Sequence, residues 1–262
     1  MAELILPEGK NLYFASDFHL GVPTWEASRE RENKIVRWLE FIRPTAGHIF
    51  LMGDLFDFWF EYNYVIPKGF VRFQGKLAEL SDSGIPITIF TGNHDIWMFG
   101  YFTKEFGITV EHQPKSFQIQ GKKIHLGHGD GLGPGDYSYK VIKKIFKNKL
   151  GQFLFEKVHP TVGIRLANFW SRESRKKNDT KRIPTFLGED EWIWQYCKDI
   201  HAQQIHDFYI FGHRHLPLDL PVGTNGRYIN LGEWLSFCTY AQFDGQDIAL
   251  KTFKNYKSEN WK

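Results

Sequence analysis

The chain has 262 residues, 42% of them hydrophobic and 17% aromatic, with a formal charge of +3. That length suits one large domain, or one domain with an insertion, and buries about three-quarters of its unfolded surface without staples. So small a basic excess gives no charge argument for nucleic-acid binding. Cys197 and Cys238 offer neither a disulfide framework nor zinc spacing.

No apolar run is long enough to span a bilayer. Residues 1–10 lack the charged start and apolar stretch of a signal peptide. The expected location is cytoplasmic, with peripheral contact to the inner membrane left open.

In chain order, residues 11–17 read as a buried first strand, apolar on both faces. Ser28 is placed to cap a helix over 29–43, whose apolar positions Ile35, Val36, Leu39 and Ile42 recur at helical spacing. A second strand covers 48–54, and an aromatic stretch fills 55–66. A helix over 68–82 and a strand over 86–91 follow. This alternation predicts crossovers and a largely parallel sheet.

Beyond residue 91 the pattern changes. Residues 108–112, 116–120 and 123–127 read as short strands, with a tight turn at Gly121 making a hairpin. Residues 136–179 read as a helical insertion. Val141, Ile142, Ile145, Phe146, Leu150, Phe153 and Leu154 recur at helical spacing, and Lys140, Lys143, Lys144, Lys147 and Lys149 fill other positions. Residues 171–182 are polar and basic, a loop without periodicity. A helix over 188–204, a strand over 207–212 and an antiparallel set over 217–254 complete the chain.

Five of the strand signals end in a carboxylate, an amide or an imidazole. They end at Asp17-Phe18-His19, Gly53-Asp54, Gly92-Asn93-His94-Asp95, His128-Gly129-Asp130 and Gly212-His213-Arg214-His215. Residues i and i+2 of an extended segment project to one side, so Asp17 with His19, and His213 with His215, can each serve one cluster. Asp17, His19, Asp54, Asn93, His128, His213 and His215 are the candidate ligands. This mixture suits Mn, Fe or Zn better than Ca or Mg. Each motif alone is weak, whereas five at five strand ends predict one two-metal site with Asp54 between the ions. The remaining His48, His112, His125, His159, His201 and His206 read as ordinary satisfied histidines.

At these residues the chain resembles the calcineurin-like metallophosphoesterases, over about 11–235. Their D-x-H, G-D, G-N-H-D, H-before-small-residue and G-H-x-H motifs are all present. The resemblance implies an α/β (α+β) fold, a β-sandwich of two mixed sheets flanked by helices, in a single domain over 1–262 with a lid at 136–179. It implies one ion held by Asp17, His19, Asp54 and His215, and another held by Asp54, Asn93, His128 and His213. Two divalent ions, Mn²⁺ first with Zn or Fe as alternatives, would activate a water for in-line attack on phosphorus. His94 would offset phosphoryl charge, and Asp95 would either orient His94 or cap the following turn.

Further features resemble bacterial UDP-2,3-diacylglucosamine diphosphatases. These are Gly53-Asp54-Leu55-Phe56-Asp57-Phe58-Trp59, Asp136 and Tyr139 after His128-Gly129-Asp130, and Leu231-Gly232-Glu233-Trp234. The resemblance implies substrate contacts at Asp136 and Tyr139. The basic stretch 171–182 adds Arg175 and Lys176 as expected contacts. The implied partners are a UDP-sugar lipid and a membrane surface, with no nucleic acid. One departure stands out, because that family usually carries Arg at the position of His94. A His suits an alkoxide leaving group that needs a proton, so a phosphomonoesterase or phosphodiesterase, nucleases included, is the alternative. A metal-free scaffold of the same fold would lack the ligands present here.

Overall fold

The structure, a computed structural model, describes residues 1–135, 137–167, 169, 185–254 and 257–260. Two mixed sheets stack face to face. One has six strands in the spatial order Ala2–Leu4 (β1), Lys115–Ile119 (β6), Lys122–Leu126 (β7), Phe208–Phe211 (β8), Gly226–Leu231 (β10) and Pro217–Val222 (β9). The other has seven, in the order Lys257–Asn260 (β13), Ile248–Lys254 (β12), Thr239–Phe243 (β11), Asn11–Ala15 (β2), Ala46–Leu51 (β3), Ile87–Phe90 (β4) and Thr109–Glu111 (β5).

The alternation of side chains across each strand sets the layers. Leu12 and Phe14 of β2, with Phe50 of β3, face the six-stranded sheet and meet Phe117, Ile124, Leu126, Ile210 and Ile229. Tyr13, Ala15, Ile49 and Leu51 face the other way, onto Trp25–Ile42 (α1), Val71–Asp82 (α2) and Tyr101–Phe106 (α3). The outer face of the six-stranded sheet presents Tyr209, Phe211 and Tyr228 to Trp192–Gln203 (α7). Strands buried on both faces explain why their sequences read as unbroken apolar runs.

Several expectations are corrected. The alternating first half does form parallel pairs β2–β3, β3–β4 and β4–β5. Antiparallel β11, β12 and β13 extend the same sheet, so it is mixed rather than largely parallel. The predicted hairpin is β6–β7 alone. Residues 109–111 pair in the opposite sheet. The final antiparallel set is split, β9–β10 in one sheet and β11–β12 in the other.

Helix α1 starts four residues early. Thr24 caps it by accepting from the Ala27 amide, while the Ser28 hydroxyl accepts from the Gly21 amide at 2.7 Å. A Thr before the first helical turn competes with a Ser inside it, and only the entering loop decides between them.

The insertion carries Tyr137–Phe146 (α4), Lys149–Glu156 (α5) and a helix over 160–167 (α6). It rests on an aromatic platform of Phe58, Phe60, Tyr62 and Trp97, into which Phe155 packs. The Trp97 indole donates to the Phe146 carbonyl at 2.9 Å.

Candidate metal centre

Each candidate ligand follows a strand, and backbone hydrogen bonds tie the strand ends together. The Asp17 amide donates to Gly53 O, the His19 amide to Asp54 O, and the Gly212 amide to His128 O, all within 2.8–3.0 Å. Asp17, His19, Asp54, His213 and His215 all have positive φ, between 43° and 68°. For residues with a Cβ this left-handed geometry is uncommon, and sparsely populated conformations cost about 1–3 kcal/mol each. These turns fall at the strand ends, where the side chains converge. Gly53 is required beside one of them, since a Cβ there would lie 2.6 Å from His128 Nδ1.

The side chains converge in two overlapping groups, Asp17 with His19, Asp54 and His215, and Asp54 with His128 and His213. His215 Nε2 lies 3.1 Å from Asp17 Oδ1 and 3.0 Å from His19 Nε2. His19 Nε2 is 3.8 Å from Asp54 Oδ2. On the other side, His128 Nε2 is 3.3 Å from both Asp54 Oδ2 and Asn93 Oδ1. Asp54 is thus the carboxylate common to both groups, and all seven expected ligands come together.

The donor chemistry fits divalent cations. The Met52 carbonyl can only accept, so His128 Nδ1 donates to it at 2.8 Å and Nε2 turns toward the two oxygens. That is the arrangement in which a carbonyl fixes a ligating tautomer. Asp17 Oδ1 is buried with no hydrogen-bond partner, while Oδ2 accepts from the His213 amide. A buried, unpaired carboxylate oxygen calls for a positive charge.

Protonation follows the same pattern. Burial pushes the Asp17 carboxyl up, but the charge of His215 and the nearby His19 ring outweigh it and hold Asp17 well below its usual range. Burial also works against charge on His128, yet Asp54 raises it to about 10. Burial opposes charge on His19 too, and Asp17, Asp57 and Asp54 raise it to about 10. Burial, aided by His128, lowers His213 to about 4. In this carboxylate-rich cage protons settle where cations would.

Of the expected catalytic pair, His94 stands at the mouth. Its amide donates to Asp54 Oδ1 at 2.9 Å and its Nδ1 donates to the Asp57 carbonyl at 2.8 Å, leaving Nε2 free. Burial lowers its affinity for a proton. Asp95 accepts from the amides of Gly92, Asp54 and Leu55. Its contacts are those of the turn cap rather than of a group orienting His94. Burial and the Asp54 charge raise its carboxyl to about 7.

Tyr139 lies on α4, where its hydroxyl donates to Asp130 Oδ2 at 2.7 Å and its ring stands 6.4 Å from that of His213. Asp136, Arg175 and Lys176 lie outside the described residues.

Sequence reasoning missed three supporting groups. Asp57 Oδ1 lies 3.7 Å from His19 Nδ1 and 3.8 Å from His94 Nδ1, bridging the two imidazoles. Asp130 accepts from Tyr139 and pairs with Lys143 at 2.6 Å. Arg31, buried, donates to the carbonyls of Phe18, His19 and Val22 and locks the first ligand loop. Asp57 and Asp130 lay inside motifs already singled out. Nothing near Arg31 in sequence distinguishes it from the other basic residues of α1.

The calcineurin-like phosphoesterase family model matches residues 10–217. The chain is 39% identical to a UDP-2,3-diacylglucosamine hydrolase of Porphyromonas gingivalis, covering 93% of this chain and 98% of that one. It is 28% identical to a protein of the same description from Proteus mirabilis, covering 82% and 85%. Among solved structures, Vps29 of Entamoeba histolytica with zinc aligns at a TM-score of 0.45 and 12% identity, covering 96% and 97%.

Proposed function

This chain belongs to the calcineurin-like phosphoesterases and is a metal-dependent hydrolase; on that premise we propose that its substrate is UDP-2,3-diacylglucosamine, cleaved to UMP and 2,3-diacylglucosamine 1-phosphate in lipid A synthesis. The observation that carries this reading is the end-to-end similarity, at 39% identity, to a protein described as acting on that lipid.

Asp17, His19, Asp54 and His215 would hold one divalent ion, and Asp54, Asn93, His128 and His213 the other. When bound, such a pair lowers the pKa of a shared water and neutralises charge on phosphoryl oxygens. The chain's own residues do the rest. Asp54 fixes the spacing of the two sites, and its Oδ1 is held by the His94 amide. His128 is kept in one tautomer by Met52 O. His94, anchored through Nδ1, would offer Nε2–H to a phosphoryl or leaving-group oxygen once that anion offsets the burial that lowers its proton affinity. A diphosphate releases a phosphate, which leaves without a proton, so His94 is needed there for charge and orientation rather than as an acid.

Residues 136–179 are read as the lid for the acyl chains. α4 is turned unusually for a surface helix. Lys140, Lys143 and Lys147 reach inward, to Gly133 O, Asp130 and His112 O, whereas Val141, Ile142 and Ile145 face outward and are 42–60% exposed. Leu150, Phe153 and Leu154 of α5 are exposed as well. These three lysines are taken up by carbonyls and a carboxylate of the chain itself, and the described residues leave the apolar face uncovered. Acyl chains would gain about 25 cal/mol for each Å² of that face they cover. No helix among the described residues is long and apolar enough to cross a membrane. Contact would therefore be peripheral, with the apolar face set into the interface.

The deciding experiment is turnover by the purified chain, chelated and then given Mn²⁺, on UDP-2,3-diacylglucosamine, an alkyl monoester and a simple diester. Hydrolysis of the lipid that is lost on chelation and restored by Mn²⁺, at a kcat/KM well above both small esters, is the expected result. Preference for either small ester would remove the lipid assignment, and full activity without detectable metal would remove the dinuclear mechanism.

A further inference from the structure

Buried charged side chains hold the earlier ligand loops. Arg31 binds three carbonyls of the first, and Asp95 binds the amides of Gly92, Asp54 and Leu55. The last loop, Gly212-His213-Arg214-His215, lacks a support of that kind within the sheets. The His213 ring makes no hydrogen bond to another described residue, so nothing orients it as Met52 O orients His128. The backbone is left-handed at both histidines, with φ of 68° and 53°. Such a conformation persists only where its surroundings enforce it.

Between the two histidines, Arg214 turns its guanidinium to Glu191. Nε and Nη2 each reach a carboxylate oxygen at 2.7 Å, a two-point fork. Nη2 also donates to the Thr185 carbonyl at 3.1 Å, and the guanidinium lies 4.6 Å from the centre of the Trp192 ring. Glu191 is fully buried and the Arg214 side chain is 11% exposed. Glu191 stands at the N-cap of α7, where a side-chain oxygen ordinarily accepts from the helix's first amides. It makes no such bond. Its Oε1 accepts instead from the Leu187 amide, at 3.1 Å. The carboxylate thus joins the ligand loop to α7 and to the segment that enters it. The start of the insertion reaches the same place. Gly133 packs so closely on Trp192 that a Cβ would collide with the Trp192 carbonyl, and Gly133 O accepts from Lys140 of α4. Gly129, next to His128, leaves room for Ile193 of α7 and for His213.

We propose that Glu191 and Arg214 are positioning residues for the metal centre, a clamp that sets the His213–His215 loop against α7. This rests on the ligand assignment above, not on the choice of substrate. The guanidinium is fully engaged by Glu191 and Thr185, so its part is to fix the backbone that aims two imidazoles, one toward each ion. Supports of this kind behind metal ligands typically govern affinity by about 10–100-fold. Because the clamp also touches the segment after the insertion, metal binding and the seat of α7 are coupled in both directions.

The test is titration of the chelated full chain with Mn²⁺, free ion being read by paramagnetic resonance, together with amide hydrogen exchange and thermal unfolding. Arg214→Ala and Glu191→Gln should each weaken Mn²⁺ by about 10–100-fold. Arg214→Lys keeps the charge without the fork and should lie between them and the unsubstituted chain. Glu191→Gln leaves no unpaired buried carboxylate, so it decides the matter if Arg214→Ala fails to fold. In that variant, amides of 185–195 and of 213–215 should exchange about tenfold faster together, the size of one charge-assisted contact. Adding Mn²⁺ to the unsubstituted chain should slow exchange over 185–195, and in Glu191→Gln that slowing should vanish. A lower unfolding temperature with unmoved Mn²⁺ affinity would overturn the proposal and leave the pair as a staple for α7. Exchange that quickens at 185–195 but not at 213–215 would overturn it too. An unsubstituted chain that binds no Mn²⁺ would remove the ligand assignment, and the positioning role with it. Two ions bound equally tightly by all four proteins would remove the positioning role alone.

Discussion

The metal centre and the helical insertion are built on opposite terms. Around Asp54 several polar groups are fixed by backbone: the His128 ring by Met52 O, the His94 ring by Asp57 O, and the Asp95 carboxylate by three amides. In α4 and α5 most apolar side chains are exposed, and among the described residues attachment runs through Phe155 on its aromatic platform, Trp97 to Phe146 O, and Tyr139 and Lys143 to Asp130. The contrast separates two tasks. Reaction chemistry needs ligands held to a fraction of an ångström, whereas admitting a lipid needs an element that can move off its seat.

Four substitutions would sharpen or break that contrast, and the largest effect is expected at the centre. Asp54→Ala removes the carboxylate common to both ligand groups. Bound metal should fall from two equivalents to one or fewer, and kcat should drop on the order of 10³-fold. Retention of two tightly bound ions would mean that the sites do not share Asp54.

His94→Arg tests whether the mouth of the centre is tuned to its leaving group. With an alkyl monoester, loss of a proton donor should cost about 10²-fold in kcat. On the diphosphate lipid the Arg should be tolerated within about threefold, because no proton is needed. Equal losses on both substrates would defeat the leaving-group explanation.

Trp97→Phe keeps the ring on the platform but deletes its hydrogen bond to Phe146 O. One such bond contributes about 1 kcal/mol, so local opening of residues 137–156 should rise about fivefold. Hydrogen exchange of their amides should quicken by that factor, while amides of β2 and β3 stay unchanged. Quickening in both regions would show that the insertion and the sandwich open as one unit.

The smallest effect is expected at the seam. Tyr139→Phe removes the hydroxyl that reaches Asp130, but the Lys143–Asp130 pair remains. KM for the acylated substrate should rise about threefold or less, with kcat unchanged, as expected for one hydrogen bond in a partly solvated network. A large fall in kcat would place Tyr139 within the chemistry rather than at the seam between α4 and Asp130.

The seven candidate ligands were legible because strand ends have a local grammar. An apolar run followed by Gly-Asp, Gly-Asn-His or Gly-His-x-His is readable without knowing what lies opposite. The supporting residues were not readable in that way. Arg31 is one of several basic residues in α1, and only the fold brings its guanidinium to three carbonyls of the preceding loop. Asp95 had two roles open from sequence, and the positions of the Gly92, Asp54 and Leu55 amides favour the cap.

By itself, then, the sequence marked out most of the elements, the candidate ligand set and the class of chemistry, because strand periodicity and turn chemistry act over a few residues. Only the tertiary structure decided which strands share a sheet. It alone split residues 217–254 between two sheets and moved 109–111 away from its expected hairpin. It also turned Lys140 and Lys143 of α4 inward and its apolar face outward. An amphipathic helix has two faces, and its pattern alone does not say which will meet the protein. That choice depends on what the rest of the chain presents, here the carbonyls of Gly133, Asp130 and His112 waiting for cations.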